Sequence, residues 1–505
     1  MSAIQALQRF TKEVKKFPFP HSFEPVRKKW EELSQKGFLD RGQPWLSAFQ
    51  LANFTKFLVI YGSEKPRRTQ FDLARPFNRY KDFWSAVEQE NRYSTDPEFI
   101  AAFIFRFLYQ QLPYFLHRGR VPFMFDSTRA LYLSSCVQTN GGMIWSMSDF
   151  ERETGLPLDA FLRVSEKIYL FFQTRMRTDK ESLESCLDEK DRRYLDSVLN
   201  LLSATRSSFR EAYDGWKADH FHEIPYEFNP LLRFPIIVHQ SEYWAPLPEL
   251  IAYAATKGLY FYLIDTFRGP FQKWFGEMFS GYAANLFIKH LGKSVVLTEA
   301  DERSHAWQGK TNDFTLVIGS NAFLFECKTS ALFFDSKKES SVETIARDIR
   351  KNLANPKHRS GLFQLYDKIE AIKNKKLPKS LNAYYENVRE FFPVLLIHDR
   401  IEYANHPQTF RNLLDAELRA AGIQGFRYQL WHLEEIENLF EILSPTSIDS
   451  ALEEKFLNPS YEPWDLNTYL YEKTERRFSH LRLFFFVPKG ETEALRIIRS
   501  LADKR

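Results

Sequence analysis

The chain has 505 residues, too many for a single ordinary core, so two or three domains are expected. Its 44% hydrophobic content, with 48 Phe and 23 Tyr, excludes a disordered chain. A formal net charge of +4 permits a nucleic-acid partner without demanding one. The cysteines Cys136, Cys186 and Cys327 have no paired spacing, so neither a zinc cluster nor a disulfide framework is expected. That usage fits a reducing cytoplasm. Residues 1–16 lack an apolar run before a small-residue cleavage site, so no secretory leader is expected. The most apolar window, 99–116, is broken by Arg106, Gln110 and Gln111 and is too short and polar to span a bilayer. No membrane partner is expected.

Residues 1–40 read as polar helix with two basic clusters, Lys12, Lys15, Lys16 and Arg27, Lys28, Lys29. Both read as solvated faces, with a phosphate contact as the alternative. An apolar helix over 45–60 stops at Gly62. Apolar spacing of three and four predicts helices over 80–91, 96–118, 147–151, 157–176, 181–202 and 205–217. Segments 234–239 and 243–245 flank Gln240-Ser241-Glu242 and read as a β-hairpin. A helix over 249–266 ends at the break Arg268-Gly269-Pro270, which is the predicted domain junction. Residues 1–265 are therefore expected to be a mostly helical region that senses, regulates or positions a substrate.

A helix over 271–290, a strand over 294–300 and an exposed loop over 301–310 come next. Helices over 341–351 and 361–376 are separated by Asn355-Pro356-Lys357-His358-Arg359. The short continuous apolar run 392–398 reads as a strand buried on both faces. A strand over 427–433 and a helix over 434–443 follow. This order suits a three-layer α/β core over 266–443. Residues 444–505 form an α/β extension, with a helix over 448–457, a strand over 481–487 and a helix over 492–502, expected to pack on that core or on a dimer contact. The fold class is α+β multidomain: an α-rich region with a hairpin, then a three-layer α/β domain.

The chemistry concentrates at residues 312–328. Gly319-Ser320-Asn321 is turn chemistry between two strands. Side chains alternate along a strand, so Glu326 and Lys328 share a face, and Asp313 on the neighbouring strand can join them. Two carboxylates and one ammonium among apolar residues are costly unless a cation binds the acids. Hard oxygen ligands suit Mg²⁺, for which Mn²⁺ can substitute.

Asp313, Glu326 and Lys328, with a preceding helix that carries Glu277, resemble the core motif of the PD-(D/E)xK nuclease superfamily. The resemblance covers about residues 266–440, with Asn312 in place of the name-giving proline. It implies a restriction-endonuclease-like fold and metal-dependent hydrolysis of nucleic-acid phosphodiesters, with DNA ahead of RNA. Asp313 and Glu326 would be metal ligands with the Cys327 backbone carbonyl, and Glu277 a further acid. Lys328 would orient or deprotonate the attacking water. A lysine in a poorly hydrated cleft has a route to a lowered pKa, so base and electrostatic stabiliser both stay open. Gln364, on the helix after the hairpin, would stand near the water or the phosphate. The Cys327 thiol is expected to pack in the core.

The basic stretch 337–379 offers phosphate contacts, with Lys357, His358, Arg359 and Lys368 as the candidates. By analogy with the resembled family, the biological setting would be prokaryotic defence against phage or foreign DNA, with a regulatory or defence-system partner protein. A homodimer could cut duplex, although no heptads mark an interface. Two alternatives stay open: a module that binds nucleic acid or protein without cleaving, and a scaffold subunit of a larger complex. Gly292-Lys293-Ser294 resembles the end of a P-loop, but the first glycine would fall at Phe287, so no phosphate cradle is expected. His220, His222 and Glu223 lack further ligands at metal spacing.

Overall fold

The computed structural model describes residues 2–36, 48–64, 74–91, 145–217, 229–329, 342–398 and 404–474, the last without 406, 408 and 409. The expected helix 96–118, strand 481–487 and helix 492–502 lie outside the described residues. So do Cys136, His220, His222, Glu223, Lys337 and Lys338. The described fold is mixed α and β.

Helices Ala3–Val14, Phe23–Lys36, Ala48–Tyr61 and Ala74–Asn91 open the chain. Phe10, Phe57 and Tyr80 meet at ring centroids 5.2–6.1 Å apart. Arg27 is buried rather than solvated; its guanidinium donates to the carbonyls of Phe172 and Gln173. Helices Met147–Thr154 and Leu158–Thr174 follow. The single helix expected over 181–202 is instead three: Lys180–Ser185, Glu189–Arg192 and Leu195–Leu202. The chain turns extended at Asp188 (φ −65°, ψ 156°), and the restart buries Asp191 against Arg163 and Lys167.

The hairpin expected near residue 240 is present, as strands Ile236–His239 and Glu242–Trp244. Gln240 and Ser241 both have positive φ, the requirement of a tight two-residue turn. Two short strands extend it. With β1 (Arg177–Thr178), β2 (Ser203–Thr205), β3 (Ile236–His239) and β4 (Glu242–Trp244), the sheet order is β1-β4-β3-β2. Helix Glu249–Ala255 leads into Lys257–Leu291, which is interrupted where expected: Arg268 is non-helical at φ 49°, ψ −129°, two residues before Pro270.

The second half holds a five-stranded sheet. Its strands are β5 (Val296–Thr298), β6 (Phe314–Ile318) and β7 (Asn321–Lys328), then, beyond the small hairpin β8 (Ala354–Asn355) and β9 (Ser360–Gly361), β10 (Glu390–Ile397) and β11 (Gln429–His432). The order is β11-β10-β7-β6-β5. β5, β6 and β7 are antiparallel neighbours, and β10 and β11 run parallel to β7. The alternation of β7 separates two cores. Phe323 and Phe325 join the helix Lys257–Leu291, with Ile436, Leu452 and Leu470 from the later helices. Ala322 and Leu324 face Ile349, Phe363, Leu365 and Leu414 on the other side. The sheet thus lies between two helical layers.

The first of these cores runs without a break from Trp145 and Phe172, past Phe271 and Phe287, to Trp431 and Leu470. The bend at Arg268 therefore turns the chain inside one continuous apolar cluster. Helices Ile448–Leu457 and Leu466–Thr474 belong to the same cluster. Among the described residues, no helix is long and apolar enough to cross a membrane.

Candidate active site

The hairpin of β6 and β7 turns on Gly319-Ser320 alone, with Ile318 paired to Asn321 and Gly319 at φ 58°. Asn321 already belongs to the strand, and its side chain donates to Asp449 at 3.0 Å. The register that pairs Phe314 with Phe325 puts Asp313 opposite Glu326. The Asp313 N–H donates to the Phe325 carbonyl at 3.1 Å, which fixes the acid one residue before β6 begins. Glu326 and Lys328 follow Leu324 onto the second face, as the alternation requires. Lys328 Nζ donates to Glu326 Oε1 at 2.6 Å, and the Cys327 N–H donates to Asp313 Oδ2 at 2.6 Å. The Cys327 side chain lies against the opposite, aromatic core.

The charge balance of this group is unusual. Burial pushes the Glu326 carboxyl up to about 8; Lys328 opposes that shift and Asp313 adds to it. Burial likewise raises Asp313 to about 6, against the pull of the Cys327 N–H and Lys328. Burial by itself would lower Lys328, but Glu326 and Asp313 hold its ammonium above the ordinary value. The lowered lysine expected of a poorly hydrated cleft is opposed here by its hydrogen-bonded partner Glu326.

Gln364 also stands at the site. Its Nε2 donates to Glu326 Oε2 at 2.8 Å and to the Thr311 carbonyl. The β8–β9 hairpin delivers it there. Gly361 has φ 67°, and a Cβ at that position would sit 2.0 Å from the Leu353 carbonyl oxygen. Only glycine fits, and the helix Leu362–Lys373 starts immediately after it, with Gln364 in the first turn.

Glu277 is exposed on its helix. Ser280, three residues further along that helix, lies near Asp313 and pulls its pKa down against the larger effect of burial, while its own hydroxyl donates to the Glu277 carbonyl at 3.2 Å. Three further residues, none singled out in the sequence, approach the site. The Glu299 N–H donates to the Asp313 carbonyl at 3.0 Å, and the Glu299 charge raises both Asp313 and Glu326. Thr311 Oγ1 donates to Glu299 Oε1 at 2.8 Å, and Arg303 pairs with the same carboxylate at 3.1 Å. The loop expected over 301–310 is also corrected in its first part. Glu299–Ser304 is a helix, opened by a reciprocal cap between Thr298 and Asp301. The Thr-x-x-Asp spacing was the signal for it.

The candidate phosphate contacts divide. Lys357 and His358 are exposed on the turn between β8 and β9, where Lys310 Nζ donates to the His358 carbonyl at 3.2 Å. Arg359 is committed elsewhere: its guanidinium makes a two-pronged pair with Asp367, with Nε 2.6 Å from Oδ2. Lys368 is corrected outright. It is 0% exposed and its Nζ donates to Glu302 Oε2 at 2.8 Å, because its side chain points into the apolar layer beneath the helix. Phe314 is fully buried and stacks on Phe325 at 4.5 Å, so no base can reach it. The indole of Trp307 donates to the Lys310 carbonyl at 3.0 Å and its ring packs over Gly309.

Among the described residues, no three of His, Cys, Asp and Glu come close enough to hold a metal by themselves. The donor set is Asp313, Glu326 and the Cys327 backbone, which leaves several positions of the shell to water and phosphate oxygens. Mg²⁺ accepts that kind of shell. The raised acids are the fit test: the buried Glu326 and the half-buried Asp313 share one ammonium, and a divalent cation supplies the positive charge they lack. Comparison with protein-family models, with curated proteins and with solved structures finds no match for this chain.

Proposed function

We propose that the chain is a Mg²⁺-dependent nuclease of the PD-(D/E)xK type, with its site at the open end of β6 and β7. The observation that carries this reading is the convergence of Asp313, Glu326 and Lys328 on one face, with both acids raised by burial. The strand order supports it as well. A helix, three antiparallel strands, then two strands parallel to the third is the arrangement that the motif resemblance implies.

Asp313 and Glu326 would hold the cation with the Cys327 carbonyl. A bound Mg²⁺ supplies charge neutralisation at the phosphate and a more acidic water. Lys328, kept as an ammonium, is suited to orient the water and to offset charge on the phosphate oxygens. Gln364 holds the second oxygen of Glu326 and so fixes how that carboxylate presents itself. Lys357, on its exposed turn, and Lys310 beside it are cations placed to meet a nucleic-acid backbone. DNA is the proposed substrate, and defence against foreign DNA is the setting that the resemblance suggests.

The test is cleavage of supercoiled plasmid, single-stranded DNA and RNA by the full chain, with Mg²⁺, Mn²⁺ or EDTA. Wild type runs beside Asp313→Ala and Lys328→Ala. Metal-dependent cutting lost in both variants is the expected result. Cutting that survives both substitutions would place the chemistry elsewhere. Metal binding without cutting would favour the reading as a non-cleaving module.

A further inference from the structure

One buried ion pair remains outside the chemistry just described. Glu302 and Lys368 are 1% and 0% exposed, and their charged atoms are 2.8 Å apart. The other Glu302 oxygen accepts from the Tyr385 hydroxyl at 3.2 Å. The Lys368 ammonium also lies 5.3 Å from the centre of the Trp307 ring. Phe363, Leu365, Ile369 and Ile372, on the helix that carries Lys368, belong to the apolar core on this side of the sheet. A charge pair in such a place is a weak source of stability, since apolar residues of similar volume often do as well. Its value must come from what it fixes.

What it fixes is the relation between two short helices that flank the acids. Lys368 lies one turn beyond Gln364 on Leu362–Lys373, so the two share a helical face. Glu302 lies one turn beyond Glu299 on Glu299–Ser304. The Gln364 amide spans the Thr311 carbonyl and Glu326 Oε2, and the Thr311 hydroxyl reaches Glu299. A buried ion pair must keep its charged atoms together, since parting them leaves two uncompensated charges, whereas an apolar contact at the same place would tolerate sliding. We infer that Glu302 and Lys368 are positioning residues, which index the helix of Gln364 to the helix of Glu299 and so hold the Gln364 amide on the Glu326 carboxylate. The inference rests on the nuclease reading for its consequence, but the positioning itself can be measured without cleavage.

The experiment uses four full-length proteins: wild type, Glu302→Leu/Lys368→Met, Gln364→Ala and the triple variant. The paired apolar replacement removes both charges together, so no lone buried ion remains to unfold the chain. Lys368→Arg, which keeps the charge but changes its reach, serves as a second variant should the pair replacement fail to fold. Hydrogen exchange is followed at the backbone amides of 311–313 and 362–366, and cleavage is measured as kcat and KM with Mg²⁺.

The expected result is a folded pair variant whose exchange at those two segments rises at least about tenfold while the rest of the sheet is unchanged. Its kcat falls about tenfold with KM little altered, in the range usual for residues that orient a metal ligand. The triple variant then loses nothing beyond Gln364→Ala, because the pair acts through that side chain. Wild-type exchange at both segments in the pair variant would overturn the inference, as would losses in kcat that multiply in the triple variant. If wild type neither cuts nor binds Mn²⁺, the nuclease reading fails by itself, and the exchange rates still decide the positioning.

Discussion

Two buried carboxylate clusters in this molecule have opposite electrostatic signs. Asp191, in the helical half, is fully buried, yet its pKa lies below the ordinary carboxylate value. Burial opposes that shift, but Arg163 and Lys167 both reach its oxygens, at 3.1 and 3.0 Å. Asp313 and Glu326 must share Lys328, with Glu299 adding further negative charge nearby, and both are raised. Asp191 and Glu326 are both buried and Asp313 is half-buried, and the two clusters differ in their supply of cations. A carboxylate given two cations is a structural tie, and two carboxylates given one are left in demand of another.

The largest test of that contrast is catalytic. Asp313→Ala or Lys328→Ala should lower metal-dependent cleavage by at least about 100-fold, whereas Asp191→Asn should leave kcat unchanged. Equal losses in all three would erase the distinction. Next in size is metal linkage. Mg²⁺ at about 100 times its dissociation constant should raise the unfolding free energy of wild type by about 2.7 kcal/mol. The same addition should do nothing for Asp313→Asn/Glu326→Gln, as read by urea unfolding. Third, Asp191→Asn should cost about 2 kcal/mol, since the amide keeps only one of the two acceptor oxygens, turns an NH2 on the other cation and removes the charge that both cations pair with. A midpoint unmoved by that substitution would mean that the Asp191 network is ornamental.

Much of the sheet was legible because its signals are local. Gly319-Ser320 between alternating residues gives the hairpin, and the same alternation places Glu326 with Lys328. The unbroken apolar run before His398 gives β10, and Arg268-Gly269-Pro270 gives the bend. β1 and β2 were not legible, because two or three residues hold no periodicity and their pairing is decided by partners far along the chain. Lys368 shows the limit most clearly. In sequence it is one more cation in a basic stretch, and only the fold reveals that Glu302, 66 residues earlier, draws it inward. The Arg359 pair was illegible for a related reason: its partner Asp367 lies eight residues on, across a hairpin and a helix start, where no single periodicity links them.

The smallest effect is also the one that separates the clusters by sign, in the dependence of stability on pH. A carboxylate raised on folding binds its proton more tightly in the native state than in the unfolded chain. Stability therefore falls as pH rises from the ordinary carboxylate value to the folded pKa, and is flat above it. For Asp313 that window closes near pH 6, and for Glu326 near pH 8. Asp191 is depressed, so its contribution is intact above the ordinary carboxylate value and is lost as pH falls through the folded pKa. Metal-free wild type should accordingly lose stability between pH 6 and 8, a range in which Asp191 does not titrate. In Asp313→Asn/Glu326→Gln that loss should vanish, leaving the curve flat between pH 6 and 8. Urea midpoints for both proteins at pH 6, 7 and 8, with EDTA present, read it directly. Parallel curves would mean that the two acids are already balanced without a cation, and the strongest argument for a metal at this site would go with them.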